Sequence, residues 1–527
     1  MNPFKLLLLP LFEQKQDGQD LFPILALFFT FLLYMLLILK TRNRSSTSQP
    51  TKSSTPSLPP GPWRLPIIGN LHHLIGSDLP HRRLTDLAKK YGPLMHLKLG
   101  EVSHIVVSSP AVSKEMFKIH DLNFSQRPLL LGGSKYNSLD LVFSPYGDYW
   151  REIRRICTQE LLSPKRVQSF RSTREEEVSN LIGDLHSNKG LVVNLSKKIF
   201  ATLYSITARA AFGKKCKDQE AFTALVKEGL EIAGGFNVCN VFPSQNWLRW
   251  ITGIEHKLEE NYKKMDAILE NIINEHKVDK ATRSRSNDGA ESLLEVLFNI
   301  QENDAATAFS LETRHIKAII LDIFIAGSDS SSAVIEWAML EMLKNPRVME
   351  KAQKEVRQVL GTKENMDETN LHELEFLNLV IKETLRLRAP GPLIPRESKE
   401  SCVINGYQIP AKAKVIVNAW AMARDPEYWT EPERFYPERF IENSVDFKGT
   451  DFEFIPFGAG RRMCAGVSFG LADIRLPLAQ LLLHFDWKLP DGINSENLDM
   501  SESFGLSVRR KGDVYLIPIP YIHVPVA

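Results

Sequence analysis

Cysteine is scarce and scattered in this chain. There are five in 527 residues, at positions 157, 216, 239, 402 and 464, with no CxxC pair. An odd, dispersed set excludes a disulfide framework and a zinc site of ordinary spacing, and it fits a reducing compartment. An excess of one charge is lacking too. The formal net charge is +2 and no basic block stands out, which argues against a nucleic-acid partner. There is no internal repeat, and no flavin or nicotinamide fingerprint. Length alone suggests roughly two to four domains, yet no linker divides the chain after residue 70. With 43% apolar and 24% charged residues, the composition is that of an ordinary globular protein.

One long uncharged apolar run is present near the N-terminus, Leu21 to Leu39, ending at Lys40. A helix of about 20 residues spans roughly 30 Å, one hydrocarbon core. No small-residue cleavage site follows the run, so it predicts an anchor over 21–40 and not a signal peptide. Lys40, Arg42, Arg44 and Lys52 lie after it, whereas Glu13, Asp17 and Asp20 lie before it with only Lys5 and Lys15. That Lys/Arg excess puts the downstream side in the cytosol. Residues 1–20 form a leader with a second, shorter apolar patch cut by Pro10. Residues 41–57 are rich in Ser and Thr, a flexible tether. Leu58-Pro-Pro-Gly-Pro-Trp-Arg-Leu-Pro66 then reads as a stiff extended hinge, so the tether and hinge occupy 41–70 and the catalytic part 71–527.

That part reads as mainly helical. Pro80 to Lys90 predicts a short helix, and amphipathic stretches follow near 147–160, 197–212, 255–277, 312–343 and 346–360. Met95–Leu99 and His104–Ser108 alternate as strands around Gly100, Asn405-Gly406 predicts a hairpin turn, and Val415–Val417 another strand. Arg510 to Asp513 looks like a turn between strands. Residues 279–290 have no apolar period and predict a surface loop.

The most informative residues are Phe457-Gly-Ala-Gly-Arg-Arg-Met-Cys-Ala-Gly466. A match at Phe457, Gly460, Arg462, Cys464 and Gly466 arises by chance about once in ten thousand chains of this length, so chance is a poor explanation. A lone thiolate on such a loop can ligate haem iron and favour O–O cleavage. Glycines let the backbone pass close to a flat cofactor, and free N–H groups stabilise the sulfur charge. Arg462 adds a cation able to grip a haem propionate. The plain alternative is a buried structural cysteine.

This run resembles the haem-binding signature of the cytochrome P-450 monooxygenases, with Ala465 where the plant form usually carries Pro. Motifs from 58 to 466 fall in the family's order, similar to the large plant microsomal group. The resemblance implies the cytochrome P-450 fold, mainly α with small β-sheets, after one N-terminal transmembrane helix. It implies haem b as cofactor, with Cys464 as metal ligand and Phe457 packed beside the sulfur. Trp150, Arg154, Arg396 and Arg462 would meet the propionates. Glu383-Thr-Leu-Arg386 would form a structural cluster with Arg439. A near-duplicate run, Pro432-Glu-Arg-Phe435, leaves Arg434 as the alternative arginine.

Ala326-Gly-Ser-Asp-Ser-Ser331 puts Gly and clustered Ser inside a predicted helix, where they are poor helix formers. By resemblance this is the oxygen groove. Asp329 and Ser330 are the catalytic pair feeding protons to dioxygen, with Ser330 in place of the family's usual Thr. A Ser-rich kink in a packed helix is the plain alternative. The pocket would draw on Arg127–Asp140, Ala233–Val241, Ile323–Ser330, Ala389–Ile394 and Ser503–Val508. These supply Leu129, Leu130, Leu131, Phe324, Ile325, Ala326, Leu393, Ile394, Phe504 and Leu506, an apolar wall for an apolar substrate.

The implied activity is hydroxylation by O2, with electrons from NADPH delivered by a separate NADPH–cytochrome P-450 reductase. The implied place is the endoplasmic reticulum membrane, single-pass, with the catalytic domain cytosolic. Ile404-Asn-Gly-Tyr407 and Ile416 to Pro426 resemble members that oxidise terpenoids, suggesting a sesqui- or diterpene. Arg151, Arg155, Lys165 and Arg166 form a basic patch for an acidic reductase or a plain solvated face. The alternatives are a haem-thiolate isomerase or dehydratase needing no reductase, and a non-catalytic haem binder.

Overall fold

Local chemistry sets many of the element ends. Pro80 sits in the first turn of α1 (Pro80–Tyr91), where no N–H is needed, and Gly92 stops the helix at φ +101°. The helices that follow include α2 (Asp148–Arg155), α3 (Arg171–Ser187), α4 (Leu195–Phe212), α5 (Ile254–Thr282), α6 (Thr313–Lys344), α7 (Pro346–Leu360), α8 (Glu375–Arg388) and α9 (Val467–His484). Asn194 caps α4 by accepting from the Lys197 N–H at 3.0 Å. α2 continues as one π-helical stretch, Ile156–Leu161. α5 runs to Thr282, four residues into the segment expected as a loop from 279.

This computed structural model describes Thr30 and residues 56–76, 79–129, 138–215, 219–232, 238–282, 290–303, 309–361, 368–505 and 507–521. The expected leader lies outside the described residues, as do the anchor (Thr30 excepted), most of the polar tether and loop 283–289. Among the described residues, one helix is long and apolar enough to cross a membrane, α6. It is mostly buried, so it is a core helix of the fold.

The strands are β1 (Leu94–Leu99), β2 (Val102–Val107), β3 (Val193–Asn194), β4 (Leu393–Glu397), β5 (Cys402–Ile404), β6 (Tyr407–Ile409), β7 (Lys414–Asn418), β8 (Phe485–Lys488), β9 (Glu502–Ser503), β10 (Arg509–Arg510) and β11 (Tyr515–Pro520). They form a four-stranded sheet in the order β1-β2-β7-β4, a three-stranded sheet β3-β11-β8, and two hairpins, β5-β6 and β9-β10. Asn405 and Gly406 turn the β5-β6 hairpin with φ +48° and +77°, the pair of left-handed residues a tight two-residue turn requires. The chain between β10 and β11 is the turn expected over 510–513.

α6 is the axis of the molecule. It packs against α4 on one side and against α8 and α9 on the other. Ile335, Trp337, Ala338, Met339 and Met342 are almost wholly buried there. The charged lock beside this core is Glu383. Its two oxygens accept from Arg386 Nε at 2.8 Å and Nη2 at 2.9 Å, and from Arg439 Nε at 3.0 Å. Residues 383 and 386 are one helical turn apart on α8, which lets one guanidinium meet both carboxylate oxygens. Arg386 also donates to the carbonyls of Ala423 and Pro432, fixing the loop that carries Arg439. Arg434, the other candidate, turns outward to an exposed pair with Glu431.

Removing one partner from a fully buried pair leaves an uncompensated charge. Glu383→Ala is expected to destabilise the protein by about 3–5 kcal/mol, read as the shift of the urea unfolding midpoint, whereas Arg434→Ala leaves that midpoint unchanged.

Candidate active site

The loop from Phe457 to Gly466 is closed by its own backbone. The Cys464 N–H donates to the Phe457 carbonyl at 2.9 Å, Gly458 N–H to Ile455 at 2.9 Å, and Met463 N–H to Gly460 at 3.0 Å. Gly460 has φ +67°, and a Cβ there would run into the Asp121 carboxylate, so glycine is required on both counts. Asp121 in turn holds the loop through the Arg461 N–H and an ion pair at 3.2 Å. Cys464 is open to the cavity on one side and enclosed by protein on the others. Burial pushes its thiol up, while the Gly466 N–H and the Arg154 cation pull it down. Phe457 lines the same cavity and packs edge-on against Phe447 at 5.4 Å.

Above this loop lies a cavity of about 540 Å³. Ile325, Ala326, Gly327, Asp329 and Ser330 of α6 line it, as do Leu393 and Ile394 of β4. Gly327 lies where α6 passes close to Thr207 of α4 and Phe469 of α9. The expected wall needs three corrections. Phe324 does not line the cavity; it points to the other side of α6, into a ring cluster with Tyr204, Phe212 and Phe222. Leu129 is 62% exposed. Phe504 is not among the lining residues. Leu130, Leu131, residues 233–237 and Leu506 lie outside the described residues. In their place, Val226, from the helix Gln219–Ile232, and Leu258, Tyr262 and Met265 of α5 complete the wall. Amphipathic period located α5 without saying which neighbour its apolar face meets, and it did not mark the helix Gln219–Ile232.

Buried cations crowd one rim. Arg462 donates to the carbonyls of Ser125 at 2.8 Å and Leu141 at 3.2 Å, and it stacks 4.1 Å over the Trp150 ring. Trp150 Nε1 donates to the Leu141 carbonyl at 3.0 Å. Arg396 donates to the carbonyls of Pro395 and Ala459 and lies 5.4 Å over the Phe117 ring. Arg127, a residue sequence reasoning did not single out, donates to Pro395 O. Burial lowers all three guanidiniums: Arg127 to about 10, Arg462 to about 9 with Arg127 adding repulsion, and Arg396 well below its usual range with Arg127 and Arg462 both repelling it. Arg154 also faces the cavity and is lowered by burial. A set of desolvated cations held mainly by carbonyls matches a ligand that brings anions. The residues present therefore fit a flat cofactor with two propionates and an iron over the sulfur.

Asp329 is buried, and both its oxygens turn to the β9-β10 hairpin: Ser507 Oγ donates to one, and Arg509 Nε lies 3.4 Å from the other. Ser330 Oγ donates to the Ala326 carbonyl one turn back at 2.7 Å. A second carboxylate, the half-buried Asp322, accepts from the N–H groups of Leu141 and Val142 at 2.8 and 3.2 Å. It ties the segment carrying the Trp150 contact to α6. Desolvation of its carboxyl group and the neighbouring Asp140 hold it well above the usual carboxylate range.

The basic patch around α2 is largely neutralised. Arg151 pairs with Asp148, Arg155 with Glu152 at 2.7 Å, and Arg166 with Glu291 at 3.2 Å. As a docking face for an acidic partner it is weaker than its composition suggests.

Comparison with known proteins decides the family. Residues 59–516 match the family described as Cytochrome P-450. The chain belongs to that family. It is therefore a monooxygenase of the cytochrome P-450 class that binds haem through a cysteine thiolate. It is 52% identical to cytochrome P-450 71D11 of Lotus japonicus over 88% of this chain and 95% of that one. It is 49% identical to premnaspirodiene oxygenase of Hyoscyamus muticus, covering 94% and 97%, and 51% identical to tabersonine 6,7-epoxidase isoform 1 of Catharanthus roseus, covering 93% and 96%. A zebra fish cytochrome P-450 solved with abiraterone shares the fold, with TM-score 0.70 at 22% identity over 84% of this chain and 99% of that one.

If the arginine cluster holds the propionates, each lost charged hydrogen bond removes roughly 1.5–3 kcal/mol. Arg127→Gln and Arg396→Gln should each lose haem to an apomyoglobin scavenger about ten to a hundred times faster than the unchanged protein.

Proposed function

We propose that this cytochrome P-450 hydroxylates an apolar plant metabolite, a sesqui- or diterpenoid, with electrons from a separate NADPH–cytochrome P-450 reductase. We place it on the cytosolic face of the endoplasmic reticulum. The observation that carries the reading is a mainly apolar cavity with a cysteine sulfur on one wall and an acid and a hydroxyl on α6. The relatives' names add the substrates premnaspirodiene and tabersonine, of which the first favours a terpenoid.

Haem, when bound, supplies the activation of dioxygen and the transfer of one oxygen atom to a C–H bond. The chain supplies the rest. Cys464 Sγ would ligate the iron, and Arg127, Arg154, Arg396 and Arg462 with Trp150 would seat the propionates. Ile325, Leu393 and Ile394 press the substrate's apolar body and exclude water. Asp329 and Ser330 move the protons: one oxygen atom of O2 leaves in the product hydroxyl and the other as water. NADPH gives two electrons through the reductase, and two protons drawn from solvent complete that water. Glu383, Arg386 and Arg439 hold the fold and do not touch the reactants.

Ser330→Ala should keep the haem spectrum while product per NADPH falls and peroxide rises roughly tenfold or more. A yield equal to the unchanged protein's contradicts the proton role. Product formed without air or NADPH would point instead to an isomerase or dehydratase. Co-expression with a reductase and a panel of terpene synthases is expected to give an oxidised sesqui- or diterpene. The sequons at Asn123 and Asn194 should carry no glycan, and both side chains are already engaged, Asn123 with Glu400 and Asn194 with Asp513.

A further inference from the structure

The hairpin that ends in β9 and β10 is fastened at its base and again inside the protein. At the base, Glu502 is buried and pairs with His81 at 3.3 Å, Arg82 at 3.1 Å and Arg388 at 2.6 Å. Arg388 passes the contact to Glu341 of α6 at 2.8 Å. Beyond the base, the Val508 N–H donates to the Pro390 carbonyl at 2.8 Å. Between these fixed points the loop brings Ser507 into the cavity wall.

The inner end of the hairpin grips α6 at one residue. Ser507 Oγ donates to Asp329 Oδ2, and Arg509 Nε is 3.4 Å from Oδ1. The same guanidinium donates to the Asp329 carbonyl at 3.0 Å and to Ser332 Oγ. Among the described residues, Asp329 has no hydrogen bond to Ser330, whose hydroxyl is taken by Ala326. Arg509 is about a quarter exposed while Asp329 is buried, so the arginine side chain reaches from the acid toward solvent. One residue of the grip touches substrate space and the other touches water.

We infer that Ser507 and Arg509 are positioning residues for Asp329: they hold its carboxylate against the hairpin, and a ligand seated on the Ser507 loop sets how readily the acid turns to serve the oxygen groove. This rests on the reading of Asp329 as proton carrier. A carboxylate that accepts from a hydroxyl on one oxygen and faces a guanidinium across the other loses both contacts when it turns away, so it resists rotation. Its release is therefore coupled to whatever displaces Ser507.

The test uses the full haem-loaded protein with reductase and, as substrate, premnaspirodiene, the terpene named for a relative. Variants are Ser507→Ala, Arg509→Gln, Asp329→Asn and the double variant Asp329→Asn/Arg509→Gln, each checked for an unchanged haem spectrum. Hydrogen exchange of amides 503–509 is expected to quicken about tenfold in Arg509→Gln and in Asp329→Asn alike. Product per NADPH and the solvent deuterium isotope effect on NADPH oxidation are expected to shift in Arg509→Gln and Ser507→Ala. They should shift no further when Arg509→Gln is added to Asp329→Asn, because the arginine acts through the acid. An Asp329→Asn protein with unchanged coupling and isotope effect would sink the proton-carrier reading itself. If Asp329→Asn shifts both but Arg509→Gln and Ser507→Ala shift neither, or the Arg509 effect adds in full to that of Asp329→Asn, the positioning role alone is overturned. Unchanged exchange in 503–509 overturns it as well.

Discussion

A thiolate inside a protein is unfavourable unless something shares its charge, and the rest of this structure answers that demand. Burial pushes the Cys464 thiol up. The Gly466 N–H and the Arg154 cation offset part of the shift, but both are weak beside an iron ion bonded to the sulfur. The loop that presents the sulfur must be tight and must pass close to a flat ring. Gly460, held against Asp121, meets the first need, and the ladder from Cys464 to Phe457 meets the second.

Around that sulfur the fold divides its labour by burial. The Glu383 cluster lies in a region where both charges are fully covered, so it fixes the loop carrying Arg439 and the start of the segment leading to Cys464. The rim arginines are buried too, yet their partners are mainly neutral carbonyls and each depresses the next. The first arrangement is satisfied within the chain, and the second suits a ligand that carries anions. α6 shows the same contrast along one helix. Its C-terminal half is packed with apolar side chains. The middle carries Ser328, Asp329, Ser331 and Ser332 in the interior. Ser330 and Ser332 donate to carbonyls of their own helix, an alternative to the regular ladder that suits a groove better than a packed core.

Much of this was legible in the residues and some was not, for physical reasons. Helical period located α4, α5, α6 and α7 to within a few residues, because a long amphipathic face leaves a strong signal. The Cys464 loop was legible because its glycines and arginine stand at fixed offsets. Phe324 was misread because neighbouring helix positions differ by about a third of a turn: Ile325 faces the cavity and Phe324 the aromatic cluster. Strands such as β3, β9 and β10, two residues each, are too short to show a period. Arg127 and Asp322 carry no local pattern at all. Each matters through a neighbour far along the chain, Pro395 for the one and Leu141 for the other. Arg439 could be told from Arg434 only by which one folds back onto Glu383.

The account stands on the bond between Cys464 and haem iron, and reduction in the presence of carbon monoxide tests it most directly. The purified protein should move its Soret band to the long wavelength of thiolate coordination, and Cys464→Ala should not. A band that stays at the shorter wavelength of a neutral ligand in the unchanged protein, or one that still moves in the variant, would contradict the assignment.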